Sequence, residues 1–74
     1  MNSINDISDL KKYIEVQRVM HEIRSNAEIA RRCGWFTSSF AKRLEKPEVM
    51  KLGDLQKIAN AMDCDLCIQF IDKK

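Results

Sequence analysis

The chain has 74 residues, of which 45% are hydrophobic and 32% are charged, and its formal net charge is +2. This length allows one domain, and the mixture of apolar and charged residues excludes a disordered tail or a collagen-like chain. No apolar run approaches the roughly 20 residues that span a bilayer, and the N-terminal MNSINDISDL is polar and acidic, unlike a secretory signal. We therefore expect a cytoplasmic protein without a membrane partner.

The positive charge is concentrated in the middle of the chain. Residues 25–52 contain six basic and three acidic residues, whereas residues 1–24 are neutral and residues 53–74 carry a net charge of −1. A basic surplus of this kind suits contact with phosphate groups, but a solvated helix face gives the same composition.

The first predicted helix covers residues 6–24, with Asn5 or Asp6 as its cap. Its apolar residues recur at three- and four-residue steps, which is typical of an amphipathic helix. They are Ile7, Leu10, Ile14, Val16, Val19, Met20 and Ile23.

A second helix is predicted over residues 25–33. The sequence Ser25-Asn26-Ala27-Glu28 has the pattern of a capping box, in which the Ser25 hydroxyl accepts from the Glu28 N–H and the Glu28 carboxylate accepts from the Ser25 N–H. Gly34 then ends the helix, because glycine adopts the left-handed conformation without a Cβ clash.

A third helix is predicted over residues 37–45. Trp35 and Phe36 are too large and apolar for a linker, so we expect both to pack beside the turn. Phe36, Phe40 and Leu44 recur every four residues and lie on one side, while polar and basic residues lie on the other. Two short helices joined by a tight glycine turn are the arrangement in which a helix-turn-helix protein presents its second helix to DNA.

The end of the chain is predicted to form a fourth helix and a β-strand. Pro47 stops the third helix, and a helix over residues 52–62 follows, with a stripe formed by Leu52, Leu55, Ile58, Ala59 and Met62. Strict alternation then predicts a strand over residues 65–71. No second strand is predicted, so we expect this strand to pair with its copy in a homodimer, with Leu66, Ile68 and Phe70 in the interface.

The segment SNAEIARRCGWFTSSFAKRL, followed by MKLGDLQKIANAMDCDL, resembles the Cro and phage-repressor type of helix-turn-helix regulators, also called xenobiotic-response-element-like. The resemblance covers about residues 25–66. It rests on the polar capping pair before AEIA, the Gly-Trp turn, Phe40 six residues after Gly34, Leu44, and the rhythm of LGDLQKIANAM. It implies a mainly α, lambda-repressor-like domain of four helices, to which this chain adds its C-terminal strand within one domain, residues 1–74.

The resemblance also implies which residues contact double-stranded DNA. Family members contact base edges with the outward residues early in the third helix, which here are Thr37, Ser38, Ser39 and Lys42. Phosphates are contacted from the start of the second helix, from the third helix and from the loop after it, which here gives Ser25, Asn26, Arg43, Lys46 and Lys51. Phe36 and Lys51 stand where the family usually has hydroxyl caps, so Thr37 is an alternative cap for the third helix.

The function so implied is that of a sequence-specific transcriptional regulator, a small prokaryotic or phage repressor that binds a palindromic operator as a dimer on the nucleoid. The alternative is a protein-binding helix-turn-helix module, such as an antitoxin or a phage-encoded inhibitor, which would dock through the first helix and the strand.

Neither a metal site nor an active site is expected. Cys64 and Cys67 form a lone CxxC that could, with Cys33 and His21, supply four zinc ligands. The pair straddles a helix end and a strand, however, and Cys33 occupies a core position, so structural thiols are the expected role. Since the sequence shows no nucleophile, base and orienting acid in a recognisable arrangement, we expect no enzyme and no cofactor.

Overall fold

The computed structural model describes residues 6–73, which form four α-helices and two short 3₁₀ helices. The four helices lie where the sequence predicts them, with ends that differ by a few residues. In chain order the elements are a 3₁₀ helix Ile7–Asp9, α1 Leu10–Met20, α2 Asn26–Cys33, α3 Thr37–Glu45, a second 3₁₀ helix Pro47–Val49, and α4 Leu52–Ala61.

One hydrophobic core joins all four helices. Its centre consists of Ile29 of α2, Phe40 of α3 and Ile58 of α4, which are the largest fully buried side chains. Leu10 and Ile14 of α1 close the core from the other side. Because α2 packs against both α3 and α4, it fixes the position of α3 within the fold.

The first helix ends at Met20, four residues before its predicted end. Glu22 adopts the left-handed conformation with φ of 57°, and the Ile23 N–H donates to the Arg18 carbonyl at 3.0 Å. The Arg18 guanidinium in turn donates to the Ile23 carbonyl at 2.9 Å. This turn brings Ile23 into the core, where it is buried. Ile23 is therefore buried as predicted, but it lies in the turn after α1 and not in the helix.

The same type of turn ends α2 and α4. Its left-handed residues are Gly34, with φ of 78°, and Asp63, with φ of 60°. In each case the N–H of the next residue donates to the carbonyl five residues before it, as in the Schellman motif. These bonds are Trp35 to Ala30 at 2.9 Å and Cys64 to Ala59 at 2.8 Å.

The predicted β-strand over residues 65–71 is wrong for the structure described here. Residues 64–73 form neither strand nor helix, and the part of the chain from 6 to 73 contains no β-strand. A strand needs a neighbouring strand to accept and donate its ladder hydrogen bonds, and residues 6–73 of a single copy supply none. The side chains of Ile68, Phe70 and Ile71 are consequently exposed, Phe70 completely.

Several apolar residues predicted to be buried are also exposed. Phe36 is 81% exposed because it precedes the first turn of α3, where the four-residue period does not set its direction. Leu52 is the first residue of α4 and is likewise exposed, as are Val16, Val19 and Met20 of α1. Within residues 6–73, no helix has the length and apolar character that a membrane crossing requires.

Candidate nucleic-acid interface

The start of α2 is fixed by Ser25. Its hydroxyl accepts from the Glu28 N–H at 3.4 Å, which confirms the first half of the predicted capping box. The second half is wrong, because the Glu28 carboxylate accepts from Arg31 and from Arg32, the latter at 3.2 Å, and not from the Ser25 N–H. The hydrogen bond from Arg31 is the main reason why the pKa of Glu28 lies below its usual value. Arg31 and Arg32 are thus partly neutralised by an acid on their own helix.

The outward face of α3 carries the residues predicted to contact bases. Thr37, Ser38 and Lys42 are exposed and Ser39 is half-buried. The opposite face is fixed in the core by Phe40 and Leu44, which are the buried residues of this helix. The core therefore determines which side of α3 faces solvent, and the hydroxyls and the ammonium group lie on that side.

Two further residues of this face were missed by the sequence interpretation. Ala41 and Glu45 are exposed, and successive steps of about 100° place both between Thr37 and Lys42 around the helix. The same helical geometry, applied to the sequence, would have found them. The Ala41 methyl can contact a thymine methyl group, and the Glu45 carboxylate can accept from the cytosine amino group.

Arg43 has three partners within the fold. Its guanidinium carbon lies 4.3 Å from the ring centre of Trp35, Nε lies 3.4 Å from Oδ2 of Asp54, and Nη1 donates to the Ser39 carbonyl at 3.2 Å. The side chain is 33% exposed. Since Trp35 precedes α3 and Asp54 belongs to α4, these contacts position α3 relative to its neighbours. The phosphate contact of Arg43 stays a prediction. The guanidinium that would make this contact already binds partners within the fold.

The other predicted phosphate contacts lie at two places. Ser25 and Asn26 are half-buried at the start of α2, and Oδ1 of Asn26 is buried with no hydrogen-bond partner in the described part of the chain. Lys46 and Lys51 are exposed on either side of the 3₁₀ helix Pro47–Val49. The loop after α3 therefore has two accessible ammonium groups, as phosphate binding requires.

The potential metal ligands are only partly brought together. Sγ of Cys64 lies 3.3 Å from Nε2 of His21 and 3.4 Å from the Met62 carbonyl oxygen. Across residues 6–73, no three His, Cys, Asp or Glu side chains are grouped so that they could hold a metal ion. Burial raises the pKa of the thiols of Cys33 and Cys64, which favours their neutral form.

Of the predicted dimer-interface residues, Leu66 lies in an apolar groove between α1 and α4. The groove has a volume of about 790 Å³, and Tyr13, Met20 and Leu66 are among the residues that line it. Ile68 and Phe70 are exposed outside it. The residues after α4 thus present apolar side chains next to an apolar groove.

Comparisons of the chain with protein-family models, with curated proteins and with solved structures give no match.

Proposed function

We propose that this chain is a sequence-specific DNA-binding regulator of transcription that inserts α3 into the major groove. The observation that carries the proposal is the division of α3 into a core face, with Phe40 and Leu44, and a solvent face, with Thr37, Ser38 and Lys42. A helix of this type, fixed by a second helix across a glycine turn, matches the docking geometry of helix-turn-helix proteins. The role is one of binding and not of catalysis, and it is exerted on nucleoid DNA in the cytoplasm, as in a small repressor.

The side chains of α3 would contact base edges, and those of the following loop would contact phosphates. Lys42 can donate to O6 and N7 of guanine, and the hydroxyls of Thr37 and Ser38 can donate to or accept from either base of a pair. Lys46 and Lys51, which are exposed in the loop after α3, would neutralise phosphates, which orients the domain without selecting a sequence.

We further propose that the regulator acts as a two-fold homodimer held by apolar side chains. Support comes from Ile68, Phe70 and Ile71, which are exposed beside the groove between α1 and α4. Complete burial of each such side chain contributes roughly 1.5–3 kcal/mol. A symmetric dimer would present two copies of α3 to successive major grooves, about 34 Å apart, and would select a palindromic operator.

The same exposed apolar side chains favour one alternative, a protein-binding module of the antitoxin or inhibitor type. Such a module would cover Ile68, Phe70 and α1 with a different protein instead of a second copy. The two proposals differ in what they require of Lys42. DNA binding needs its ammonium group, whereas a partner on α1 and the tail does not contact it.

The test begins with a selection of duplexes from a random-sequence library by the intact chain. Affinity for the selected duplex is then measured by fluorescence anisotropy across a salt series. We expect Lys42→Ala to cost about 1–3 kcal/mol and to relax sequence preference, and Lys46→Ala to weaken binding to all sequences and reduce the salt slope by about one. Lys12→Ala, on the exposed surface of α1, is the matched control and should leave both quantities unchanged.

DNA binding is refuted if no duplex is bound at about 50 mM salt, or if Lys42→Ala and Lys46→Ala both bind like the unaltered chain. The homodimer is tested separately by light scattering. A monomer at micromolar concentration contradicts the homodimer. A Phe70→Ser variant that remains dimeric contradicts the role of Phe70 in holding the two copies together. Loss of the dimer without loss of half-site binding would show that assembly and DNA recognition are separate properties of the chain.

A further inference from the structure

Phe36 breaks two local rules at once. It occupies the N-cap of α3, where its side chain makes no capping hydrogen bond, and its ring is 81% exposed. Ser, Thr, Asp or Asn at this position would cap the helix, and a buried position would stabilise the ring. Functional sites are among the places where a residue is expected to violate local preferences without a visible compensation in the fold.

The neighbours of Phe36 show that its exposure is not caused by a loose turn. Trp35 packs on Phe40, with ring centres 6.0 Å apart, and lies beneath the Arg43 guanidinium. The Phe40 N–H donates to the Phe36 carbonyl at 3.1 Å. The backbone of Phe36 is therefore held in the first turn of α3, and its ring is exposed next to Thr37 and Ser38.

We propose that Phe36 is a base-contacting residue that packs against the C5-methyl group of a thymine. This inference rests on the proposed function, in which the N-terminal end of α3 enters the major groove. A phenyl ring has no polar atom with which to contact a phosphate or a hydrogen-bonding base edge. The thymine methyl is the apolar group that the major groove offers, and phenylalanine is among the residues that contact it.

An alternative use of an exposed aromatic ring on DNA is insertion between base pairs. Apolar wedges of that kind enter from the minor groove and kink the duplex. The ring of Phe36 lies at the end of the helix proposed to occupy the major groove, beside two hydroxyl side chains that suit base edges. This position favours contact with the methyl group.

The experiment is a double-mutant cycle between the protein and the DNA. Each thymine of the selected duplex is replaced in turn by deoxyuridine, which pairs identically but lacks the methyl group. At the contacted position we expect the unaltered chain to lose about fourfold in affinity, the value for one buried methyl group. Phe36→Ala should lose at least as much on the thymine duplex and show no further loss on the deoxyuridine duplex.

Two variants distinguish the loss of a DNA contact from a change in the stability of the fold. Phe36→Ser supplies the missing cap, so it should raise the melting temperature while it weakens DNA binding. Leu52→Ala removes another exposed apolar residue at a helix start and should leave DNA affinity unchanged. Opposite changes in stability and affinity for Phe36→Ser are not expected of a residue with a purely structural role.

The outcomes distinguish this inference from the proposed function. If the unaltered chain binds no duplex, the proposed function fails and this inference fails with it. If the chain binds DNA and Phe36→Ala binds equally well, or if the deoxyuridine effect is the same in both proteins, only the role of Phe36 is refuted. A change in oligomeric state with Phe36→Ala, seen by light scattering, would assign the ring to a protein contact and also refute it.

Discussion

Arg43 and Lys42 are adjacent on α3, but the structure gives them different surroundings, so we expect their alanine variants to have different defects. Arg43 stacks on Trp35, pairs with Asp54 and donates to the Ser39 carbonyl. The stacking contributes about 0.5–1 kcal/mol and a half-exposed ion pair about 0.2–1 kcal/mol. With the bond to the carbonyl, and allowing for shared atoms, Arg43→Ala should lower the free energy of unfolding by about 2 kcal/mol.

For a chain of this size, about 2 kcal/mol corresponds to a melting temperature lower by about 8–16 °C. Lys42 is exposed, and alanine is a good helix former, so Lys42→Ala should melt at the same temperature within error. The assay is thermal and urea unfolding followed by circular dichroism. The fluorescence of Trp35, the only tryptophan, provides a local signal that Arg43→Ala should change and Lys42→Ala should not.

Arg43→Lys separates the charge of Arg43 from its geometry. Lysine keeps the positive charge but lacks the planar group that stacks on Trp35 and reaches Asp54 at the same time. We expect Arg43→Lys to recover little of the lost stability. If Arg43→Ala is as stable as the unaltered chain and Arg43→Lys restores a lost DNA affinity, Arg43 acts mainly as a phosphate contact and the structural argument is refuted.

Two further predictions concern helix ends and thiols. Glu22→Gly should stabilise the fold by about 0.5–1 kcal/mol, because relief of the left-handed conformation exceeds the entropy cost of glycine. Gly34→Ala should destabilise the fold by about 1 kcal/mol. Urea unfolding measures both changes, and a Glu22→Gly variant that is less stable than the unaltered chain contradicts the prediction. An alanine Cβ at Gly34 would meet no atom within 4 Å, so that cost is conformational. A thiol reagent at pH 8 should modify the exposed Cys67 before Cys33 and Cys64, whose pKa values are raised by burial, and mass spectrometry of partially labelled protein gives the order.

The positions of α2 and α3 could be predicted from the sequence because their signals are local. Ser25 and Gly34 mark the two ends of α2 through their own backbone preferences, and the spacing of Phe40 and Leu44 identifies the buried face of α3. Each of these signals lies within one turn of the element that it determines. The structure confirms both helix ends and the burial of Phe40 and Leu44, but Phe36, which the same spacing placed on the buried face, is exposed.

The end of α1 could not be predicted for the opposite reason. Glu22 has no intrinsic preference for the left-handed conformation, and the cost of adopting it is on the order of 1–2 kcal/mol. Burial of Ile23 and the bond from Arg18 to the Ile23 carbonyl offset that cost. The burial of Ile23 depends on the packing of other helices, which a pattern of apolar residues does not specify.

At the candidate site, the sequence predicted which side of α3 carries exposed polar residues but not the surroundings of its basic residues. Arg43 and Lys42 are equivalent in charge and adjacent in sequence, yet one is held by Trp35 and Asp54 and the other is exposed. The sequence does not show that Trp35, in the turn before α3, and Asp54, in α4, both contact Arg43. Such a contact joins residues that are distant in sequence, and composition does not predict it.

The tail after α4 shows how far an alternating pattern determines structure. Alternation of Leu66, Ile68 and Phe70 indicates which side chains share a face if the backbone is extended, but the hydrogen bonds of a strand belong to a pair of segments. In the described part of one copy there is no second strand. The three residues differ accordingly: Leu66 lines the groove between α1 and α4, while Ile68 and Phe70 are exposed. Burial of Ile68 and Phe70 therefore depends on a partner. We expect truncation after Leu66 to change the assembly state far more than the stability of the helices.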